Sequence, residues 1–294
     1  MRITFRQLEL FVAIAKYSNL TQAADSLYIS QSAASMALAQ LERQLDRQLF
    51  ERIGKKLLLN NHGKLLLPKA VEVLTRIGEI EQVTKQSATK LTGELKIGAS
   101  TTIGNYVLPK AISNFIKKYD EVNLQLVVDN TQRIINEVLQ FNIDVGFIEG
   151  YCHHPEIHVG KFMQDELVVI ASPKHSLAGK RQLAWSDLAQ AEWILREKGS
   201  GTREVFEKAI YNKIDNIKML AELGSSEAIK QVVADGLGIS CLSKLSLTSE
   251  LKLKKIVILP VNLNIKRYFY CLLHHKKYQT PILQEFLQVN VKDI

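Results

Sequence analysis

The 294-residue sequence has no apolar run near the roughly 18 residues that a membrane-spanning helix needs. Its start, MRITFRQLELF, has neither an apolar signal core nor a small-residue cleavage site, which points to the cytoplasm. Cysteine is scarce: Cys152, Cys241 and Cys271 are odd in number and far apart, which excludes a disulfide framework and fits a reducing compartment. The chain has no GxGxxG, no GxxxxGK[ST] and no GxSxG, and its "GSGT" lacks the nucleophile-elbow pattern, so enzyme chemistry finds no foothold and no catalytic residue is assigned. Apolar residues make up 46% and charged residues 23%, as in an ordinary globular protein of two or three domains.

What is present is a basic excess, concentrated at one end. Net charge is +8, of which residues 1–90 carry +5 (13 Lys/Arg against 8 Asp/Glu). A polyanionic partner for that third of the chain fits the imbalance. Helical spacing over 5–17 is followed by a break at Asn19-Leu20-Thr21, and Thr21 is expected to cap a second helix that buries Ala23, Ala24 and Leu27. Tyr28-Ile29-Ser30 reads as a tight turn. Ser30 then caps a third helix, Gln31 to about Leu45, whose buried stripe is Ala34, Leu38, Leu41 and Leu45. Two short helices joined by a tight turn, the second opening with small polar side chains, is helix-turn-helix geometry, in which the second helix enters the DNA major groove. Gln31 suits adenine, and Ser32 and Ser35 donate or accept. Arg43, Arg47, Arg52, Lys55 and Lys56 are placed to hold phosphates, and "RIGKKLLL" reads as a hairpin wing with a basic tip.

The order of "FVAIAKYSNLTQAADSLYISQSAASMALAQLERQLDRQLFER" resembles the winged helix-turn-helix of LysR-type transcriptional regulators. The matching positions are Ala23, Ala24, Leu27, Ser30, Gln31, Ala33, Ser35, Leu38, Leu41, Glu42, Leu45, Leu49, Phe50 and Arg52. Three departures stand out. Ser32 replaces the usual proline; Met36 stands where a polar or basic base-reading residue is common; and Leu59-Asn60-Asn61-His62-Gly63 replaces Leu-Thr-x-Ala-Gly. The resemblance implies a DNA-binding surface of Thr21, Ser30, Gln31, Ser32, Ser35, Met36, Arg43, Arg52, Lys55 and Lys56.

A helix from Gly63 to about Leu91 carries two apolar stripes: Leu66, Ala70, Val73, Ile77 and Ile80, and beside it Leu67, Val71 and Leu74. Lying between two domains, it either packs on its own domain or, the stronger reading because the first domain already looks complete, calls for a partner, and the resemblance implies pairing with a second copy of the chain. The dimer would present two recognition helices to a two-fold operator.

Beyond it the pattern alternates strand and helix, which predicts an α/β parallel sheet. "GELKIGAS" (93–100), a helix from Tyr106 to Lys118, a strand at 124–129, a helix at 131–141 and a strand at 144–149 form the first series. "ELVVIAS" (166–172) opens the second. The expected fold is α+β and multidomain: a winged helix-turn-helix (1–62), a linker helix (63–91) and a periplasmic-binding-protein-like α/β effector domain (92–294). Its lobe I would be 92–161 with 267–294, and its lobe II 162–266. Ligands in such folds bind where strands end and helices begin. Ser100, Thr101 and Thr102, then Ser200, Gly201 and Thr202, then Gly224, Ser225 and Ser226, and lastly Thr131, lie at such junctions, whose free N–H groups favour anions. Arg196 or Arg203 would add charge, whereas Glu149 would oppose it. "GSGTR" resembles members that sense inorganic sulfur anions or carbon-fixation metabolites. The expected effector is therefore a small inorganic or organic anion, with no other cofactor.

"YCHHPEIH" raises a metal-sensor alternative, with Cys152, His153, His154 and His158 within seven residues, against the plainer reading of a solvated segment between lobes. A solute receptor would explain 92–294 but not 1–90. The sequence therefore predicts a cytoplasmic LysR-type transcriptional regulator, dimeric and by resemblance tetrameric, with DNA, a small effector and RNA polymerase as partners, no metal and no membrane.

Overall fold

The computed structural model describes residues 3–54, 56–83, 91–214, 216–261, 263 and 265–291. The chain divides into two compact units: Met1–Thr92 with Gln140–Asn142 and Lys276–Gln279, and Gly93–Leu139 with Ile143–His275 and Thr280–Ile294. Among the described residues no helix is long and apolar enough to cross a membrane.

In the first unit, α1 (Phe5–Tyr17) starts at a capping box. The Thr4 hydroxyl accepts from the Gln7 N–H, and the Gln7 side chain accepts from the Thr4 N–H. Helix α2 (Leu20–Ser26) begins one residue before the expected cap. Asn19 Oδ1 accepts from the N–H groups of both Thr21 and Gln22, so Asn19, not Thr21, is the N-cap; Thr21 already lies inside the first turn, where its own N–H is one of those satisfied. Tyr28 takes a left-handed conformation (φ 55°) in the turn. Helix α3 (Gln31–Leu45) starts on Ser30, whose hydroxyl accepts from the Ala33 N–H. Ala34, Leu38 and Leu41 are buried with Leu10, Phe11, Ile14, Ala23 and Ala24, and Leu45 lies at the edge of that core. The alanines let α2 approach α1 and α3 closely.

The wing is an antiparallel pair, β1 (Phe50–Ile53) and β2 (Lys56–Leu59), turning at Gly54 (φ 60°). The Leu57 N–H donates to the Ser18 carbonyl, which ties the wing to the end of α1. Helix α4 (Asn61–Val83) starts two residues earlier than the sequence suggested, because Asn60 Oδ1 accepts from the Gly63 N–H. A Cβ at position 63 would lie 2.2 Å from the Leu49 carbonyl oxygen, so only glycine lets α4 begin against the wing. Leu67 and Ala70 are buried and Leu66, Val71 and Leu74 pack on the same core, whereas Val73 and Ile80 are exposed. The expected extension to Leu91 runs through residues 84–90, outside the described residues.

In the second unit the sheet order is β4-β3-β5-β11-β6-β9-β7-β8, with β10 beside β6. Strands β3 (Gly93–Ser100), β4 (Val122–Asp129) and β5 (Val145–Glu149) are parallel, joined by α5 (Thr101–Tyr106), α6 (Leu108–Lys118) and α7 (Thr131–Leu139). The helix expected from Tyr106 already starts at Thr101 and is broken at Val107, just ahead of Pro109. The strand expected at 166 starts at 157: β6 (Ile157–Ala171) is a single 15-residue strand. After it come α8 (Trp185–Gln190), β7 (Glu192–Arg196), α9 (Gly201–Ile210), β8 (Lys218–Leu223), α10 (Ser226–Ala234), β9 (Ile239–Ser243), α11 (Thr248–Lys252) and β10 (Val257–Ile258). Strand β11 (Ile265–His274) pairs antiparallel with both β6 and β5, and α12 (Pro281–Asn290) closes the chain. Two cores flank the sheet ends: Phe286 meets Phe115 and Phe147, and Trp193 packs on Phe206.

Candidate DNA-binding surface and effector site

Helix α3 carries half of the sequence-predicted DNA contacts, and the rest lie on α2, at the Ser30 cap and in the wing. Thr21, Ser30, Gln31, Ser32, Arg43, Arg52 and Lys56 are exposed, Ser35 is half-buried, and Lys55 lies outside the described residues. Met36 is 73% exposed. The Ser30 and Ser32 hydroxyls are 3.0 Å apart, so the residue in the usual proline position helps the cap instead of standing free. The Arg43 Nε–H donates to the Ala39 carbonyl, and the Arg6 guanidinium donates to the Leu27 carbonyl, bracing the turn. Sequence reasoning took Tyr28 only for a turn residue. It is 96% exposed, and a ring held out by a left-handed backbone had its signal in an aromatic at the centre of the turn.

Most of the predicted effector residues fall into a buried polar network. Arg267, on β11, sits at its centre: Nε donates to Asp165 Oδ2 (2.7 Å), one terminal nitrogen to Glu149 Oε2 (2.7 Å) and the other to Thr202 Oγ1 (3.0 Å). All four side chains are nearly fully buried. The Ser243 hydroxyl donates to the other Asp165 oxygen. Glu149 therefore carries a bound counter-charge, and its second oxygen faces the Thr102 N–H at the start of α5 (3.5 Å). The chain's own carboxylate occupies the helix terminus where the sequence suggested an anion. Nothing in "KRYFYC" pointed to Arg267, since a lone arginine on a strand reads as a surface residue.

Thr131 joins two junctions. Its hydroxyl donates to the Glu149 carbonyl (2.6 Å) and accepts from the Gly201 N–H (3.2 Å). A Cβ on Gly201 would sit 1.7 Å from the Glu149 carbonyl oxygen, so glycine is required for this close approach. Ser100 Oγ accepts from the Glu149 N–H. Thr101 Oγ1 accepts from Arg196, which also donates to Ser226 and to Glu197. Burial alone would raise the Glu197 carboxyl, but the Arg196 ion pair overrides it and holds the pKa below its ordinary value. Gly224 and Ser225 are exposed, and Ser225 caps α10; its neighbour Ser226 is the one buried against Arg196. The geometry thus shifts the third junction by one residue, because the N-cap side chain turns back on its own helix.

Ser200 differs from the rest. It is 2% exposed and is the N-cap residue of α9, yet its hydroxyl neither caps the helix nor has any other partner. It lines a cavity of about 430 Å³ with Thr131, Gln132, Tyr151, Lys198 and Arg203 among others. Burial would lower the Arg203 pKa, but Glu207 and Glu222 raise it above its ordinary value, so Arg203 is already paired. Lys198 faces the same space.

Cys152 is half-buried and burial raises its thiol pKa, which disfavours a thiolate ligand. His154 Nδ1 accepts from the Glu156 N–H, and His158 lies against His275. Among the described residues, no group of three or more His, Cys, Asp or Glu side chains is arranged to hold a metal ion.

Residues 5–64 match the family described as bacterial regulatory helix-turn-helix protein, lysR family, and residues 88–291 match the LysR substrate binding domain. The uncharacterised HTH-type transcriptional regulator YeiE of Escherichia coli (strain K12) is 43% identical over 288 residues, 98% of this chain and 97% of its own. A full-length structure of a point variant of OxyR from Pseudomonas aeruginosa superposes with a TM-score of 0.75 at 21% identity, covering 99% of this chain and 95% of that one. The CcmR regulatory domain of Synechocystis PCC6803, solved in complex with 2-PG, is 33% identical with a TM-score of 0.63, covering 67% of this chain and 95% of its own. Helix-turn-helix, wing and two-part α/β domain belong together: this chain is a member of the LysR family, a DNA-binding transcriptional regulator with an effector-binding domain and not an enzyme.

Proposed function

We propose that the regulator responds to a small anion held in the cavity at the start of α9. The unpartnered, buried Ser200 hydroxyl carries this reading. A buried polar group without a partner costs about 1–3 kcal/mol, and a ligand oxygen there would recover it. The start of a ten-residue helix, whose N-cap side chain makes no capping bond, and the Lys198 ammonium supply the positive field. Thr131 lines this cavity and bonds to Gly201 and Glu149, which with Ser100, Thr101, Thr102 and Thr202 form the polar network behind it. Gly224 and Ser225, at the start of α10, lie outside this lining. That a relative at 33% identity was solved with 2-PG supports a small effector in this domain. Glu149 does not oppose an anion, since Arg267 neutralises it.

On the DNA side, Gln31, Ser32, Ser35 and Met36 would face base edges, with Thr21 and Ser30 at the helix entrance. Arg43, Arg52, Lys55 and Lys56 would hold phosphates, giving salt-dependent affinity. The exposed Val73 and Ile80 on α4 support pairing through the linker helix with a second copy, a two-fold operator and, as in the family, a tetramer acting on RNA polymerase in the cytoplasm. Residues 1–62, 63–91 and 92–294 would be the three working parts, the last in lobes 92–161 with 267–294, and 162–266. Effector control then requires different affinity for two quaternary arrangements.

Thermal unfolding of the purified protein with sulfite, sulfate, thiosulfate, phosphate, small carboxylates and sugar phosphates tests the effector half. A ligand bound to the folded state raises the midpoint by mass action. The expected result is a rise with one anion class that disappears in Ser200→Ala while DNA binding persists. A rise undiminished in that variant, or no rise with any anion, overturns the site.

A further inference from the structure

The outward face of α3 is unusual in what it offers a base pair. At about 100° per residue, Met36 stands roughly 170° around the helix from the mean direction of Ala34, Leu38, Leu41 and Leu45. It therefore lies at the centre of the face turned away from the core, on one ridge with Ser32, Ala39 and Arg43. The polar members of that ridge are engaged locally: Ser32 with Ser30, and Arg43 with the Ala39 carbonyl. Ala33, Ala39 and Gln40 are exposed beside it and short or uncharged. Met36 is the one long apolar side chain on this face, held 73% in solvent where burial would be favourable. A thioether has no strong donor or acceptor, so it gains little from O6, N7 or an exocyclic amine. The one apolar group at a base-pair edge in the major groove is the C5-methyl of thymine.

We infer that Met36 is a specificity-determining residue that selects a T·A pair by packing on the thymine methyl group, with Ala33 and Ala39 shaping the recess. This rests on the reading of α3 as the helix that enters the major groove. Gln31, exposed at the first position of α3 and about 140° around the helix from Met36, reads a neighbouring pair by hydrogen bonds from the helix end, so the helix combines one polar and one apolar reader. Thymine methyls are lost singly by replacing dT with dU, which leaves every hydrogen-bonding group in place. The contact is thereby separable from all others at the interface.

The test uses the full-length protein and duplexes selected by it from a pool with a randomised core. Each thymine of the selected sequence is replaced by deoxyuridine, one symmetric pair of positions at a time, and affinity is measured for wild type and Met36→Ala. Alanine at an exposed helix position keeps the fold. The expected outcome is one pair of positions where deoxyuridine weakens wild type about fourfold per half-site, the equivalent of one buried methyl at about 0.8 kcal/mol, hence about 16-fold for both. Met36→Ala should bind thymine and uracil duplexes alike. Uracil tolerated everywhere by wild type, or an equal loss in both proteins, overturns the assignment to Met36. A separate arm checks the underlying reading: if Gln31→Ala and Met36→Ala both select the wild-type sequence, α3 does not read bases, and the proposal falls with it.

Discussion

The two units treat polarity in opposite ways. Among the described residues, the helix-turn-helix unit buries a single polar side chain, Gln7, which braces the first cap, and turns its serines, arginines and lysines outward. The α/β unit buries sixteen, among them Glu149, Asp165, Arg196 and Arg267, each of which meets an opposite charge. A surface that meets DNA keeps its groups hydrated until phosphates and base edges replace water. A site that must distinguish small molecules keeps its groups pre-aligned, where each bond is stronger and each missing partner more costly. The same residue types therefore have different consequences when changed.

The largest effect that separates the units is expected at Arg267. Arg267→Met leaves Glu149 and Asp165 buried without their counter-charge, and breaking such a cluster costs about 3–5 kcal/mol. Urea unfolding should show it, and a loss below about 1 kcal/mol would mean that this interior is as forgiving as a surface. Next come Thr131→Val and Gln31→Ala, which sharpen the contrast. Thr131→Val strands the Gly201 N–H and should cost about 1–3 kcal/mol of stability. Gln31→Ala should leave the unfolding midpoint unmoved while reducing discrimination among operator variants by about 1–3 kcal/mol. A stability loss in Gln31→Ala, or unchanged discrimination, would break the comparison. Ser200→Ala is expected to go the other way: it has no bond to lose and removes a buried hydroxyl without a partner, so in the absence of ligand stability should rise by about 1 kcal/mol, in contrast to its buried neighbour Thr131.

The smallest effect concerns pH. Burial lowers the pKa of His175, whose Nδ1 accepts from the Leu177 N–H. Because the folded protein prefers the neutral ring, this contribution is complete above the unfolded value near 6.5 and is lost as pH falls through the lower folded value. Thermal midpoints between pH 7.5 and 5 should decline less steeply in His175→Asn, whose amide oxygen keeps the acceptor without titrating. Identical slopes would remove His175 from the account.

The helix-turn-helix was legible because it is local. Ser30, the alanines and the apolar stripe lie within one stretch, and periodicity reports directly on which face is buried. The cap of α2 was misplaced by two residues because Thr21 and Asn19 are both good caps, and only backbone geometry decides between them. In the α/β unit the alternation of strand and helix was visible, as were the junctions carrying Ser100, Thr131 and Ser200. Arg267 was not, because its partners are separated from it by 102 and 118 positions and no local pattern encodes that meeting. Ser225 and Ser226 were not told apart, because the sequence shows two adjacent serines and not which one turns back to cap.

Strands β6 and β11 run side by side from Ile157 opposite His274 to Leu167 opposite Ile265, with an irregularity where Phe269 and Tyr270 face Met163 and Lys161, leaving Phe162 as the extra residue. A bulge bends a strand and tightens its twist without cutting the ladder on either side. Such a ribbon behaves as a torsion bar: it resists stretching and sliding through its paired hydrogen bonds and yields most easily by rotation about its own axis. A pull on either half of the sheet would thus pass through this ribbon as a rotation more readily than as a displacement.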